Sequence, residues 1–339
     1  SKAAFSTSKD TFTRDGALLN DNGYQWLAPQ LANGLYGKSA IKNAEYRKLT
    51  HAAVNEKNWC WLNDYKMPNG VQIYGRRGGG KNAPPQNYRD EYKKTREMTA
   101  LRDQAIWQAL QGKKMDLATA DAKTFKLSPV VTNYKPSGKN GKLEYQTGPS
   151  SQTKITTANG YKMELFASEK EFTDLANPVQ VAFDNKGRLW VATMPSYPHY
   201  RIGDPKPTDK LIILEDTDND GKADKQTTFA DDLHIPMGFE ITSEGVYVAQ
   251  SGHLVLLKDT DGDDQYDVRE VILSGFDDHD THHAISAFSA DPSGAILMGE
   301  GVFLHSNVET AYGPVRATNG GFFRYSPQRK KLIRYAQLH

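Results

Sequence analysis

The sequence has one cysteine, no long apolar run and almost no net charge. The single cysteine, Cys60, excludes an internal disulfide and a C-x-x-C-H haem attachment within these residues. No stretch of 18 apolar residues occurs, so no transmembrane segment is predicted, and the opening SKAAFSTSKD does not have the pattern of a signal peptide. The 42 basic and 41 acidic residues nearly cancel, which argues against nucleic acid as a partner.

What the sequence does contain is a repeat. KLIILEDTDNDGKADKQTTFADDL begins at Lys210, and HLVLLKDTDGDDQYDVREVILSGF begins 43 residues later, at His253. Each copy is an apolar run, an acidic loop of the form D-T-D-x-D and a second run of β type. A period near 43 residues matches the length of a propeller blade better than that of a helical repeat.

A second motif supplies the remaining strands. PVQVAFDNKGRLWVATM (178–194), PMGFEITSEGVYVAQSG (236–252) and ISAFSADPSGAILMGEG (285–301) each indicate a strand, a turn containing glycine and another strand. Together the motifs predict a mainly β fold, a partial β-propeller of about three four-stranded blades at about 178–232, 236–276 and 285–338. Because three blades leave open strand edges, we expect the remaining blades to come from the same longer chain or from a partner chain.

The part before the blades has a different composition. Residues 1–112 predict a smaller helical module, with a first helix capped by Asp21 or Asn22 and ended by Gly37. Residues 113–159 are rich in Lys, Thr, Ser, Gly and Pro and lack a helical period, which favours an extended linker. Residues 160–339 then carry the blades.

The sequence around Asp15–Tyr24 resembles the last conserved block of the GDSL (SGNH) hydrolases. In those enzymes an aspartate and, three residues later, a histidine complete a serine triad. Asp15 stands at the aspartate position, but Leu18 stands at the histidine position. A leucine cannot take a proton from a serine, so the resemblance implies at most the tail of a degenerate module. An ordinary capped helix is the alternative.

The acidic loops contain carboxylates at alternate positions, which can curl around one hard cation such as Ca²⁺. The candidate metal ligands are Asp216, Asp218, Asp220, Asp224, Asp259, Asp261, Asp263 and Asp267. Gly221 follows the third aspartate in the first loop, whereas Asp264 takes that place in the second, so we expect the first loop to bind Ca²⁺ more tightly. Solvated acidic turns at a blade edge are the alternative.

The string from Asn177 to Tyr335 carries a more specific resemblance, above all in VAFDNKGRLWV, VYVAQSGHLVLLKDTDGDD and HHAISAFSADPSGAILMGEGVFLHSNVETAYGPV. It resembles the membrane-bound dehydrogenase domain of large secreted proteins. That family is related to the sugar and sorbosone dehydrogenases that use pyrroloquinoline quinone on a six-bladed propeller. The resemblance implies a quinone-dependent dehydrogenase of a sugar or alcohol, a c-type cytochrome as electron acceptor, and a periplasmic, cell-surface or extracellular location.

Hydride transfer from an alcohol to a quinone needs a base that works near neutral pH, and histidine suits this role. The resemblance places the base at His282 or His283 in DDHDTHH, with Asp280 among the aspartates that could orient it. One departure from the family pattern is Asp291-Pro292-Ser293 in place of Gly-Pro-Asp, which affects the hairpin more than the chemistry. The same cluster could bind a metal or could simply cap a strand.

Loops at the same end of the blades offer candidate cofactor ligands, which are His199, Arg201, His234 and Arg316. Among them, Arg316 in GPVRATNGG could grip a carboxylate of the quinone with its guanidinium. Two functions therefore stay open. One is the quinone-dependent dehydrogenase. The other is a non-catalytic, Ca²⁺-stabilised propeller that binds glycan or a protein partner in an extracellular assembly.

Overall fold

Three four-stranded antiparallel sheets follow one another along the chain in the computed structural model, which describes residues 11–37, 43–65, 87–128, 146–197, 200–278 and 280–337. The first sheet has the order β1-β2-β3-β4, the second β5-β6-β7-β8 and the third β14-β13-β10-β9. The strands are β1 (Pro178–Phe183), β2 (Leu189–Thr193), β3 (Asp209–Glu215), β4 (Lys225–Leu233), β5 (Phe239–Thr242), β6 (Gly245–Gln250), β7 (His253–Lys258), β8 (Val268–Ser274), β9 (Ser286–Ala290), β10 (Ile296–Glu300), β11 (Asn307–Val308), β12 (Val315–Arg316), β13 (Gly321–Ser326) and β14 (Lys331–Ala336).

The predicted fold class is confirmed. The described part of the chain is mainly β, and each sheet is a consecutive antiparallel meander of the kind that forms a propeller blade. Strand bounds of 178–233, 239–274 and 286–336 agree with the three predicted blades. The sequence pattern did not predict the small β11–β12 hairpin, which is inserted between β10 and β13.

The apolar runs of the repeat become strands that are buried on both faces. Leu211 and Ile213 of β3 belong to a core shared by the first and second sheets, together with Val255 and Leu257 of β7. The other face of β7 joins a core shared with the third sheet. Ile212 packs on the opposite face of the first sheet, where Phe166, Phe172 and Leu175 partly cover it. Because neither face of β3 or β7 meets solvent, the sequence of each strand is a continuous apolar run and does not alternate between apolar and polar residues.

Two long helices before the sheets form an antiparallel hairpin, and a further helix precedes them. The helices are α1 (Asp21–Tyr36), α2 (Ala44–Tyr65), α3 (Asn87–Ala109), α4 (Leu117–Asp121) and α5 (Gly148–Gln152). Gly37, at φ 73°, ends α1 as predicted. The predicted N-cap, Asp21 or Asn22, was wrong, because the side chain of Asn20 accepts the hydrogen bond from the backbone of Gly23 at 2.9 Å.

Residues 113–128 depart from the expected extended linker. Asp116 caps α4 by accepting a hydrogen bond from Thr119 N at 3.1 Å. Asp121, at the end of α4, accepts two hydrogen bonds at 2.6 and 2.8 Å from the guanidinium of Arg102 on α3. A buried arginine that needs carboxylate partners therefore holds this segment on the helical hairpin. Residues 129–145 lie outside the described part of the chain.

The helical hairpin docks on the loop that follows β2. Cys60 of α2 has no exposed surface and packs with Met98 and Ile202. The rings of Trp59 and Tyr200 meet edge to face at 5.3 Å. Tyr200 and Ile202 of this loop therefore pack against the helices, whereas residues 203–206 remain exposed. None of the helices that the structure describes is long and apolar enough to cross a membrane.

The segment around Asp15 has a structural role. Asp15 Oδ1 accepts hydrogen bonds from the backbone of Ala17 and Leu18 at 3.0 and 2.8 Å, which closes a tight turn before α1. The neighbouring Arg14 donates to the carbonyl of Val271 on β8, so this segment lies against the outer strand of the second sheet. The hydrolase resemblance is not confirmed, and its aspartate is engaged in turn formation.

Candidate functional site

The meander topology sorts the loops into two opposite ends. Loops 194–208, 234–238, 275–285 and 301–320 leave or enter the strands at one end, which we call the histidine end. The acidic loops 216–224 and 259–267 join β3 to β4 and β7 to β8 at the other end, which we call the acidic end. A six-residue strand such as β7 is about 20 Å long, so the two predicted sites cannot share a ligand.

Asp280 and His282 form the most defined pair at the histidine end. His282 belongs to a short 3₁₀ helix, Thr281–His283, that follows Asp280 directly. Its Nδ1 lies 2.7 Å from Asp280 Oδ1. The side chain of Asp280 is 5% exposed and that of His282 is 49% exposed. Among the described residues Asp280 Oδ1 has no hydrogen-bond partner, so this short distance is a charge contact between a buried carboxylate and the edge of the imidazole. The ring keeps Nε2 as a second nitrogen for contact with a substrate.

His283 is held in a different way. Its Nδ1 lies 2.7 Å from the carbonyl oxygen of Val302, and since a carbonyl can only accept, Nε2 again carries the lone pair. The ring stacks on Phe303 with centroids 5.8 Å apart. Gly301 lies directly beneath it, because a Cβ at that position would come within 2.7 Å of the imidazole. The two imidazoles meet edge to face at 4.2 Å.

Glu300 is a candidate that the sequence patterns missed. It is 2% exposed, and burial raises its pKa to about 7, with the Asp277 charge adding to the rise and a hydrogen bond from Ser306 Oγ opposing it. Asp277 also donates its backbone N–H to Ser306 Oγ at 2.8 Å. The signal that could have revealed this residue is its position between two glycines at the end of an apolar strand.

A buried carboxylate, Asp209, positions two loops of the histidine end. It accepts hydrogen bonds from the backbone and side chain of Ser196 at 3.0 and 2.7 Å and from Ile235 N at 2.9 Å. Ile235 is β-branched and yet adopts φ 57°, so the loop is held in a strained conformation. The phenol of Tyr197, next to Ser196, has a raised pKa because of burial and the charge of Asp280.

The predicted cofactor residues fall into separate environments. His234 Nδ1 lies 2.9 Å from Ser251 Oγ, and burial lowers its pKa to about 4, so it is a neutral packed residue. Arg201 donates to the carbonyl of Ser128 at 3.0 Å and lies 3.6 Å from Glu91, so it fastens the helical hairpin. Arg316 is exposed, and its Nε donates to Asn307 Oδ1 at 2.8 Å. His199 lies outside the described residues.

At the acidic end each loop brings three of its four candidate carboxylates together. One carboxylate oxygen from each of Asp216, Asp218 and Asp224 falls within a 4.8 Å cluster. The second loop does the same with Asp259, Asp261 and Asp263, while Asp220 and Asp267 lie outside these sets of three. Asp224 and Asp267 also accept hydrogen bonds from the equivalent threonines, Thr217 and Thr260, so Asp224 belongs to the cluster of its loop and Asp267 does not.

The predicted difference between the loops loses its structural reason. Asn219 and Gly221 have φ 60° and 88° in the first loop, and Gly262 and Asp264 have φ 83° and 63° at the equivalent positions. Each loop therefore contains one glycine and one residue with a Cβ in the left-handed region, with the order reversed. The second loop carries no extra backbone cost.

A family model described as a domain of unknown function, DUF7133, matches residues 147–338. The chain belongs to the DUF7133 family. The matched residues include the three sheets and the loops of both ends, so the DUF7133 region contains every candidate site residue that the structure describes. A search of curated proteins finds no match to the chain.

Two solved structures are similar to the DUF7133 chain at low identity. One carries the provisional name gluconolactonase, with 17% identity over 42% of this chain and 47% of its own, at a TM-score of 0.26. The other is regucalcin from Agrobacterium tumefaciens, described as a calcium-binding protein, with 14% identity over 42% of this chain and 46% of its own, at a TM-score of 0.28. The match thus spans less than half of each of these structures.

Proposed function

We propose that the DUF7133 chain is part of an enzyme that oxidises a hydroxyl group of a sugar or alcohol, with His282 as the general base. The observation that carries this proposal is the 2.7 Å contact between the buried carboxylate of Asp280 and Nδ1 of the half-exposed His282. A general base needs a free lone pair and access to the substrate, and the half-exposed imidazole of His282 has both.

The proton route follows from the position of the carboxylate beside the ring. His282 Nε2 takes the proton of the substrate hydroxyl, and the charge of Asp280, 2.7 Å from Nδ1, stabilises the imidazolium that forms. His283, fixed by Val302 and by the stacked Phe303, places a second basic nitrogen beside the first. Either Nε2 can receive the proton, and we assign the role to His282 because its side chain is 49% exposed and that of His283 only 23%.

The quinone that the family resemblance implies carries carboxylates, which a guanidinium holds with two parallel hydrogen bonds. Arg316 fits this task because it lies at the histidine end and Asn307 holds its Nε, so that the fork of terminal nitrogens remains. When bound, the quinone supplies the hydride acceptor. Arg201 and His234 are engaged elsewhere, and we assign the anchor to Arg316 alone.

Calcium belongs, in this proposal, to the acidic end. Each loop gathers three carboxylate oxygens within 4.8 Å, and like charges at that separation repel unless a cation neutralises them. Because the strands separate the acidic loops from the histidines, Ca²⁺ would stabilise the turns of the blades and take no part in proton transfer.

Further blades are part of the same proposal. Val181 and Phe183 of β1 and Tyr335 of β14 are exposed apolar side chains on the first and third sheets. Large apolar residues on a sheet face are normally covered, and blades from the same longer chain or from a partner chain would cover them. A periplasmic, cell-surface or extracellular location and a c-type cytochrome as electron acceptor complete the proposal.

The test is dye reduction by the purified chain, together with the rest of its polypeptide, after addition of pyrroloquinoline quinone and Ca²⁺ and a panel of sugars and alcohols. His282→Gln should lower kcat at least ~100-fold, because general-base catalysis contributes that much. His305→Gln, an exposed histidine at the same end, should retain activity. Full activity of both variants would overturn the assignment of His282.

The second candidate is a non-catalytic, Ca²⁺-stabilised propeller that binds glycan or protein. The observation that favours it is the separation of the two ends, since the acidic loops are complete without any residue of the histidine end. Screening immobilised glycans with and without chelator tests it. Ca²⁺-dependent binding that survives His282→Gln, in a preparation without quinone-dependent turnover, would favour this function over the dehydrogenase.

A further inference from the structure

The turn Asp280–His283 contains three metal-ligating side chains in one place. His282 Nδ1 lies 2.7 Å from Asp280 Oδ1, and His283 Nδ1 lies 3.8 Å from Asp280 Oδ2. One ligand atom from each of the three residues falls within a 4.8 Å cluster. Ligands bound at about 2.1 Å around one ion lie ~3.4 Å apart in a tetrahedron, so the Asp280–His282 contact would open slightly and the other separations, which are at most 4.8 Å, would shorten to hold a metal.

The donor set selects a class of metal. Two imidazoles and one carboxylate suit first-row transition metals such as Zn²⁺, Co²⁺ and Ni²⁺, whereas Ca²⁺ prefers sites built from oxygen alone. The acidic loops offer oxygen ligands alone, so the two ends of the sheets would select different ions. This separation by ligand chemistry can be measured with each ion in turn.

The surroundings of the cluster are those of a preorganised ligand site. Asp280 is 3% exposed and therefore cannot swing into solvent. His283 donates its Nδ1–H to the carbonyl of Val302, which is the outer contact that metal-ligating histidines commonly make and which leaves Nε2 as the ligand atom. Gly301 and Phe303 enclose the ring from two further sides. Asp280 and His283 therefore have little side-chain freedom to lose on binding, and the half-exposed His282 is the ligand that must become ordered.

We infer that Asp280, His282 and His283 bind one divalent transition-metal ion, and that this ion competes with the proton for His282. The binding step stands on the geometry of the cluster. The inhibition rests on the proposed function, since a metal-bound imidazole has no lone pair with which to abstract a proton. Metal binding and proton abstraction by His282 would then be mutually exclusive.

The experiment is calorimetric titration of the metal-stripped full chain with ZnCl₂ in saturating Ca²⁺, which occupies the acidic loops. One Zn²⁺ per chain is expected, and Co²⁺ should give visible d–d absorption bands from nitrogen ligation. His283→Gln and Asp280→Asn should each weaken Zn²⁺ binding 10- to 100-fold or more. His305→Gln is the matched control and should bind as the parent does.

Absence of Zn²⁺ binding by the folded parent would overturn the site, as would unchanged affinity in His283→Gln. Circular dichroism and melting curves identify any variant that has failed to fold, and His282→Gln then serves as a second variant. Where quinone-dependent turnover exists, one equivalent of Zn²⁺ should abolish it. If the protein binds Zn²⁺ but shows no turnover, the metal site stands and the proposed function is wrong. The experiment therefore separates a failure of the metal site from a failure of the proposed function.

Discussion

Arg188 of the first sheet places its guanidinium 2.8 Å from the carboxylate of Asp264 in the acidic loop of the second sheet. The two residues are 76 positions apart in the sequence. The same guanidinium donates through Nε to Asp184 at 2.8 Å, so one arginine ties the β1–β2 turn to the neighbouring acidic loop. Asp264 is the residue with φ 63° that stands where the first loop has Gly221.

Replacing Arg188 with glutamine should destabilise the protein by about 2 kcal/mol, because the 6% exposed carboxylate of Asp184 and the 28% exposed carboxylate of Asp264 would lose their shared partner. Urea denaturation of both proteins measures the difference. Arg269→Gln is the control. Its partner, Asp232, is 49% exposed, and removing such a surface pair should cost no more than ~1 kcal/mol. Equal losses in the two variants would contradict a special role for Arg188.

Calcium should stabilise the two acidic loops to a similar extent, since their backbones match position by position. At a free Ca²⁺ concentration about 100 times the dissociation constant, each occupied site adds about 2.7 kcal/mol. Asp218→Asn and Asp261→Asn, at equivalent positions, should each remove about half of the Ca²⁺-dependent rise in melting temperature. Neither should change melting in chelator. A rise that only one of the two substitutions reduces would show unequal loops.

Glu300 should make stability fall as the pH rises. Its pKa is near 4.5 in the unfolded chain and about 7 in the folded protein, so the folded state holds the proton more tightly. Stability is therefore fully present below pH 4.5 and declines up to about pH 7, by on the order of 3 kcal/mol. Glu300→Gln should remove this decline in denaturation series between pH 4.5 and 8. Glu309→Gln, which is exposed, should keep it.

His234 should act in the opposite direction. Burial keeps it neutral in the folded protein down to a pKa of about 4, whereas the unfolded chain takes up the proton near pH 6.5. Stability is therefore present above pH 6.5 and is lost as the pH falls to about 4, again by on the order of 3 kcal/mol. His234→Gln should flatten this part of the pH profile. If the free energy of unfolding of the variant falls as steeply between pH 6.5 and 4 as that of the parent, other titratable groups cause the loss of stability in acid.

The sequence by itself determined the sheets. Short apolar runs, turn glycines and a 43-residue repeat are local features, and each of them acts within one hairpin or one blade. Blade bounds, the meander order and the clustering of aspartates within each acidic loop all followed from them. The pairing of Asp280 with His282 was also within reach, because the two residues are neighbours in one turn.

Tertiary structure alone decided which polar residues are buried and which loops share an end. Arg102 lies on a helix that looks polar by sequence, yet it is buried between Glu56 and Asp121. His234 and Glu300 acquire their shifted pKa values from residues packed around them and not from sequence neighbours. Burial and the direction of each strand depend on contacts between distant parts of the chain. A local sequence pattern does not predict such contacts.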